Sequence, residues 1–390
     1  MDRISVFTAT RAEYGLLSGL LSELAGRAEL DVQLVVSGAH LAPEFGRTAA
    51  LIEADGFVPA ATVEMLLSSD TGVGAAKSLG LAVMGVAEAL DRLSPDVLVL
   101  LGDRYETLAA ASAAALLAVP VAHIGGGESS EGAIDESIRH AVTKLSHLHF
   151  VAAEPFARRV LQLGEEPWRV HVVGALGVDN IVRMHLLDRE ELQSDLGLTL
   201  TPQTILVTYH PVTLSADANA SALDALLAAL DPFPAATVVF TAPNADPGGR
   251  EVRRRVEEYA VGRPGPTAVF GTLGQQRYLS LLKQADVVVG NSSSGIIEAP
   301  ALGTPTVNVG DRQRGRLRAP SIIDVSDAPG AVAAALRRAL APSFRPCGTT
   351  SPYGEGGAAT RIADLLWRTP AHGLLVKHFH VPSESSRDST

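Results

Sequence analysis

Residues 96–118 read DVLVLLGDRYETLAAASAAALLA: an unbroken apolar run from Val97 to Leu101, a polar turn, then an alanine- and leucine-rich stretch. A strand without polar alternation is buried on both faces, as in a parallel sheet, and the helix after it is the crossover such a sheet needs. The alternation extends both ways. Ile4–Thr8, Val32–Val36, Val119–Ile124 and Val170–Val173 read as further strands, and residues 13–27, 74–93, 134–145 and 155–163 as helices. This is a Rossmann-like half.

The pattern restarts around Gly174 to Asp188. A second strand series follows at Thr204–Thr208, Ala236–Phe240, Thr267–Phe270, Val287–Val289 and Thr306–Val309. The expectation is therefore an α/β protein of two Rossmann-like domains facing across a cleft at their strand carboxyl ends. The first spans residues 1–180 and the second 181–356. A C-terminal helix at 357–372 can pack on either half, and a polar, serine-rich tail at 373–390 is expected to be disordered.

Composition narrows the function classes. A chain of 390 residues with 46% hydrophobic and 19% charged residues builds two or three cores. A formal charge of −11 argues against a general nucleic-acid binder, which needs a basic face. No window approaches the ~18 uncharged apolar residues of a membrane span, and the N-terminus lacks a signal peptide's apolar core. A single cysteine, Cys347, excludes an intramolecular disulfide framework, and no HExxH or paired His/Cys cluster suggests a metal. These features predict a cytoplasmic enzyme without metal or cofactor.

Functional groups in such folds collect just after the strands. Arg11 opens the first helix, where a guanidinium can reach a diphosphate. Asp103 and Glu106 follow the strand 97–101; they are spaced as a helix N-cap and capping box, and a carboxylate there can also move protons. His123-Ile-Gly-Gly-Gly-Glu128 places a carboxylate after three glycines, and Asp135-Glu136 opens the next helix. In the second half, His210 follows a strand. Gly290-Asn-Ser-Ser-Ser-Gly295 leads into a helix, so Ser292, Ser293 and Ser294 suit an anion site, with Glu298 a turn further on placed to accept ribose hydroxyls. Gly310-Asp-Arg-Gln-Arg-Gly-Arg-Leu-Arg318 is a basic loop in an acidic protein, a candidate arginine clamp for phosphates.

Taken in order, TATRAEYGLL, LLSSDTG, LGDRYE, AHIGGGESSEGAIDESIRHAVTKLSHLHF, TYHPVT, NSSSGIIEAP, VNVGDRQRGR and SPYGEGGAATRI resemble the UDP-N-acetylglucosamine 2-epimerase family, specifically its hydrolysing branch, from about residue 3 to 370. The resemblance implies a glycosyltransferase-B-like fold and catalytic positions at Asp103, Glu128, Glu136 and His210. It implies nucleotide-diphosphate contacts from Arg11, Ser292, Ser293, Ser294 and Glu298, with Arg312 and Arg318 in support. The backbone of Phe270 to Leu273 would face the uracil.

The implied reaction takes UDP-N-acetylglucosamine, or a close derivative, to UDP and the free 2-epimer of N-acetylmannosamine type, as in sialic acid biosynthesis. It would run through anti elimination to a glycal and rehydration. A homodimer or dimer of dimers is implied as well. The alternatives are a sugar transferase of the same architecture, a non-catalytic nucleotide-sugar sensor, and an epimerase for a GDP-linked or 2,4-diacetamido-trideoxy sugar.

Overall fold

The computed structural model describes residues 1–69, 71–131, 133–211, 216–242, 248–328, 330–344 and 351–382. The first half holds β1 (Arg3–Thr8), β2 (Asp31–Ser37), β3 (Pro59–Val63), β4 (Val97–Leu101), β5 (Val121–Ile124), β6 (Leu148–Val151) and β7 (Val170–Val172). The second holds β8 (Thr204–Thr208), β9 (Thr237–Thr241), β10 (Thr267–Phe270), β11 (Val287–Gly290), β12 (Thr306–Val309) and β13 (Ile322–Val325). All pairings are parallel, and the sheet orders are β3-β2-β1-β4-β5-β6-β7 and β10-β9-β8-β11-β12-β13.

Each sheet therefore reverses its winding once, between β1 and β4 and between β8 and β11. Ligands of open α/β sheets bind outside the carboxyl ends at such switch points. Arg11 and Asp103 follow β1 and β4, and His210 and Ser292 follow β8 and β11. The topology alone brings these predicted side chains to the two switch points.

β3, β6 and β13 carry no strong strand signal. β3 and β13 are sheet edges, where short strands with Pro59 or Asp324 are tolerated because one ladder is left unpaired. β6 is interior, but its His149 looks polar in the sequence. In the fold that ring is sealed and bonded to Glu165 at 3.0 Å.

Helix Gly72–Leu93 is long and apolar enough, by length and composition, to cross a membrane. It lies on the face of the first sheet, where Val86, Ala89 and Leu90 join the core formed by β4 and the helix Tyr105–Leu116.

Helix Ala358–Arg368 follows the second sheet in the chain but packs on the first half, its Ile362 and Leu366 in one cluster with Leu17, Leu21 and Leu24. The buried Asp179 caps it, accepting the N–H groups of Gly357 at 2.5 Å and Ala359 at 3.0 Å.

The start of the expected disordered tail is bound to the first half. Arg169 donates to the carbonyls of Leu374 and Val376, and the Lys377 ammonium meets both Glu165 oxygens at 3.0 Å. Residues 383–390 and Cys347 lie outside the described residues.

Burial works to raise the Glu165 carboxyl, but bonds from His149 and Lys144, with the charge of Lys377, pull it down to about 2. Its stabilisation is present above the ordinary value of 4.5 and is lost as pH falls through about 2. In urea melts the advantage of wild type over Glu165→Gln should be full near about pH 6 and shrink toward about pH 3. A gap that does not change with pH would contradict this.

Candidate active site

Asp103 sits in the turn between β4 and helix Tyr105–Leu116. It is not the helix cap: Arg104 holds the N-cap position without a side-chain cap bond, and it grips Glu106 through two 3.1 Å bonds. The buried Glu106 is closed by that pair, which leaves Asp103 to point elsewhere.

It points to Arg139. This guanidinium, 1% exposed, bonds Asp103, donates to Glu136 at 3.0 Å and to the Glu128 carbonyl at 3.0 Å, and reaches the Ser130 hydroxyl at 2.9 Å. Glu136 also accepts from the Ser129 hydroxyl at 2.9 Å and the Ser130 N–H at 2.5 Å. The Glu128 carboxylate is held at 2.9 Å by Arg316, which reaches over from the second half. Two of the predicted carboxylates, Asp103 and Glu136, thus share one buried cation, and the third, Glu128, is paired with Arg316 beside it. Gly127 makes the approach possible: its φ is +74°, and a Cβ there would stand 2.3 Å from the Phe156 carbonyl oxygen.

Burial pushes the Asp103 carboxyl up, but Arg139, with Arg316 and Arg312 beyond it, outweighs burial and holds it below the ordinary range. Burial acts on Glu136 in the same way, and the Ser130 N–H, the Ser129 hydroxyl and Arg139 bring it down. Both are anionic at neutral pH, as proton acceptors must be.

Across the cleft, His210 is fixed by its backbone. The buried Asn291 amide accepts the His210 N–H at 2.7 Å and donates to its carbonyl at 2.8 Å. The Asn291 carbonyl takes bonds from Gln313 at 2.9 Å and Arg312 at 3.2 Å, so one asparagine ties the ends of β8 and β11 to the basic loop.

Helix Ser294–Ala301 begins on the third of the predicted serines, with Ser293 at its N-cap. Glu298, buried, keeps one carboxylate oxygen without a partner among the described residues, and burial raises its carboxyl above the ordinary value. It can be small-spaced against helix Leu176–Arg183 only because residue 177 is glycine: a Cβ there would lie 2.1 Å from a Glu298 oxygen. Gly177→Ala should therefore displace this carboxylate and raise KM about tenfold or more, with kcat less affected. An unchanged KM would remove Glu298 from the binding surface.

A cleft of about 940 Å³ runs between the halves, lined by Arg11, His210, Ser292, Ser293, Ser294, Glu298 and Arg312 together with Gly271 to Gln275. Arg11 has no ion-pair partner among the described residues, and a Cβ on Gly274 would meet its guanidinium at 2.5 Å. Asp103, Glu128 and Glu136 stand beside this space rather than on its lining, linked to it through the arginines of the basic loop.

Two further predicted positions, Phe270 and Arg318, are also not on its lining. The Phe270 side chain packs into the second-half core, and only the residues after it face the cleft. Arg318 is turned away to Asp324 at 2.8 Å and to the carbonyls of Gln313 and Arg316.

Arg139 and Arg316 are the members that motif reading passed over. Among the described residues no group of His, Cys, Asp and Glu is arranged to hold a metal.

Two Rossmann-type sheets that turn their switch points onto one shared cleft define the glycosyltransferase-B-like class. A crystal structure of UDP-GlcNAc 2-epimerase from Neisseria meningitidis bound to UDP-GlcNAc has the same architecture, with a TM-score of 0.81 at 16% identity over 95% of this chain and 100% of that one. The sequence model for UDP-N-acetylglucosamine 2-epimerase matches residues 22–367, and the chain belongs to that family.

Among its relatives, the GDP/UDP-N,N'-diacetylbacillosamine 2-epimerase (hydrolyzing) of Campylobacter jejuni is 42% identical over 83% of this chain and 84% of its own length. The UDP-N,N'-diacetylbacillosamine 2-epimerase (hydrolyzing) of Legionella pneumophila is 35% identical over 96% of this chain and 98% of its own.

Proposed function

We propose that this protein is a hydrolysing 2-epimerase that converts a UDP-linked 2-acetamido sugar and water to UDP and the free 2-epimer. The observation that carries this reading is the set of three carboxylates, Asp103 and Glu136 on Arg139 and Glu128 on Arg316, beside a cleft whose far side is a serine-rich helix start. A transferase needs the nucleotide side of this arrangement but not three proton-handling groups.

The C2 hydrogen of such a sugar is not adjacent to a carbonyl, so it is acidified only once the C1–O bond is breaking and C1 carries oxocarbenium character. The bonding pair leaves with the diphosphate, whose charge Arg11 and the N–H groups at Ser292–Ser294 stabilise. One of Asp103, Glu128 and Glu136 takes the C2 proton, and the C1–C2 double bond of a glycal forms. Water then adds its oxygen to C1 while C2 receives a proton from the opposite face. Two faces require two proton carriers, which accounts for several carboxylates, and His210 assists the leaving group or the second step. Glu298, with one oxygen unpartnered, suits the ribose hydroxyls. The protein is expected to act as a homodimer or dimer of dimers.

UDP-N-acetylglucosamine, the sugar in the family's own description, is the first substrate of this class. A second reading, a 2,4-diacetamido-trideoxy sugar, is favoured by the names of the Campylobacter and Legionella relatives. Chromatography of nucleotides after incubation with UDP- and GDP-linked forms of both sugars tests the proposal. Equal amounts of UDP and free 2-epimer support it; release of UDP only when an acceptor sugar is added would make the protein a transferase, and binding without release a sensor.

A further inference from the structure

Glu128 differs from the other two carboxylates in what holds it. Asp103 and Glu136 are paired with Arg139 inside the first half, but Arg139 bonds Glu128 only at its main-chain carbonyl. Among the described residues, the ion pair that fixes the Glu128 side chain comes from Arg316 of the second half. The two side chains meet at 2.9 Å and are 10% and 9% exposed.

The loop that delivers Arg316 is braced from its own side. Gln313 and Arg312 donate to the Asn291 carbonyl. Arg318 grips Asp324 of β13 and donates to the carbonyls of Gln313 at 2.9 Å and Arg316 at 3.0 Å. On its other side the loop lies against the segment that follows Glu128. The Arg314 carbonyl accepts the Glu131 N–H at 3.3 Å, and the Arg316 guanidinium reaches the Ser130 hydroxyl at 3.4 Å. Gly315, with a φ of +85°, permits this approach, since a Cβ there would stand 2.6 Å from the Ser129 Cβ. Arg312 of the same loop lines the cleft, so one short segment touches both the proposed nucleotide side and the carboxylates.

A buried carboxylate that loses its cation turns toward water or takes up a proton, and either change spoils it as a positioned base. We infer that Arg316 is a positioning residue which the second half supplies to Glu128. Glu128 is set for proton transfer only while the basic loop is seated on residues 129–131. Chemistry at the sugar is thereby tied to the half that holds most of the nucleotide contacts. The inference rests on the reading of the cleft as an epimerase site and adds a residue that acts on the reaction through another.

The test is UDP release from UDP-N-acetylglucosamine or its diacetamido-trideoxy counterpart, whichever wild type turns over faster, with UDP affinity measured by calorimetry. Arg316→Met should lower kcat about 100-fold, the low end of what acid–base groups contribute, with UDP affinity within about threefold of wild type. Arg316→Lys should recover about tenfold of that loss, because an ammonium can replace a single N–O contact to Glu128. In a Glu128→Gln background, Arg316→Met should cost less than about tenfold, since the group it serves is already gone. Gly315→Ala alters no charge, yet it should lower kcat about tenfold or more by lifting the loop from Ser129. Wild-type kcat in both Arg316→Met and Gly315→Ala, equal losses in the two backgrounds, or a loss confined to UDP affinity overturns the inference while the epimerase reading stands. Failure of wild type to release UDP from either sugar overturns both.

Discussion

Asparagine at position 103 is expected to lower kcat by about 10³-fold, within the range that general acid–base groups contribute, while the protein stays folded. A helix-capping role, which would confuse this experiment, is absent, because Asp103 does not cap its helix and Arg104 holds that position. The amide keeps the shape, and Arg139 retains Glu136 and the Glu128 carbonyl as partners. Affinity for UDP should be nearly unchanged in calorimetry, since the proposed nucleotide contacts, Arg11 apart, lie on the other half. Activity within about tenfold of wild type would take Asp103 out of the chemistry.

Arg139→Met should act on stability and activity together. The guanidinium is sealed, and its loss strands Asp103 and Glu136 without their cation. Breaking a buried pair from one side costs about 3–5 kcal/mol. Without the cation that chiefly outweighs burial at Asp103 and helps to do so at Glu136, both carboxyls rise, so the acid limb of the pH–rate profile of any residual activity should move to higher pH. The double variant Arg139→Met/Asp103→Asn should recover part of the lost stability, because it removes one of the stranded charges. Additive losses in the double variant, or an acid limb that does not move, would mean that Arg139 does not set the charge state of these carboxylates.

The fold was readable where strands are apolar throughout. Val97–Leu101 and Val287–Gly290 announce themselves, and their neighbours follow from the alternation with helices. Edge strands β3 and β13 need less apolar sequence, and His149 disguises β6, so these three strands were hidden.

The candidate site was readable as a set of strand ends but not as a network. Arg139 did leave a trace: it shares the buried stripe of its helix with Val142 and Thr143, at i, i+3 and i+4. A charged residue on that stripe must be paired. The basic loop is harder, since its arginines look equivalent in sequence. Only the turn geometry sends Arg316 to Glu128, Arg312 to the cleft and Arg318 to Asp324.

The central claim is elimination followed by hydration, and one measurement meets it directly: NMR of the sugar released from UDP-N-acetylglucosamine, and from its diacetamido-trideoxy counterpart, in deuterated water. A glycal route predicts UDP together with the free 2-epimer carrying deuterium at C2. UDP with the unepimerised sugar still protonated at C2 would mean simple hydrolysis and would contradict the account.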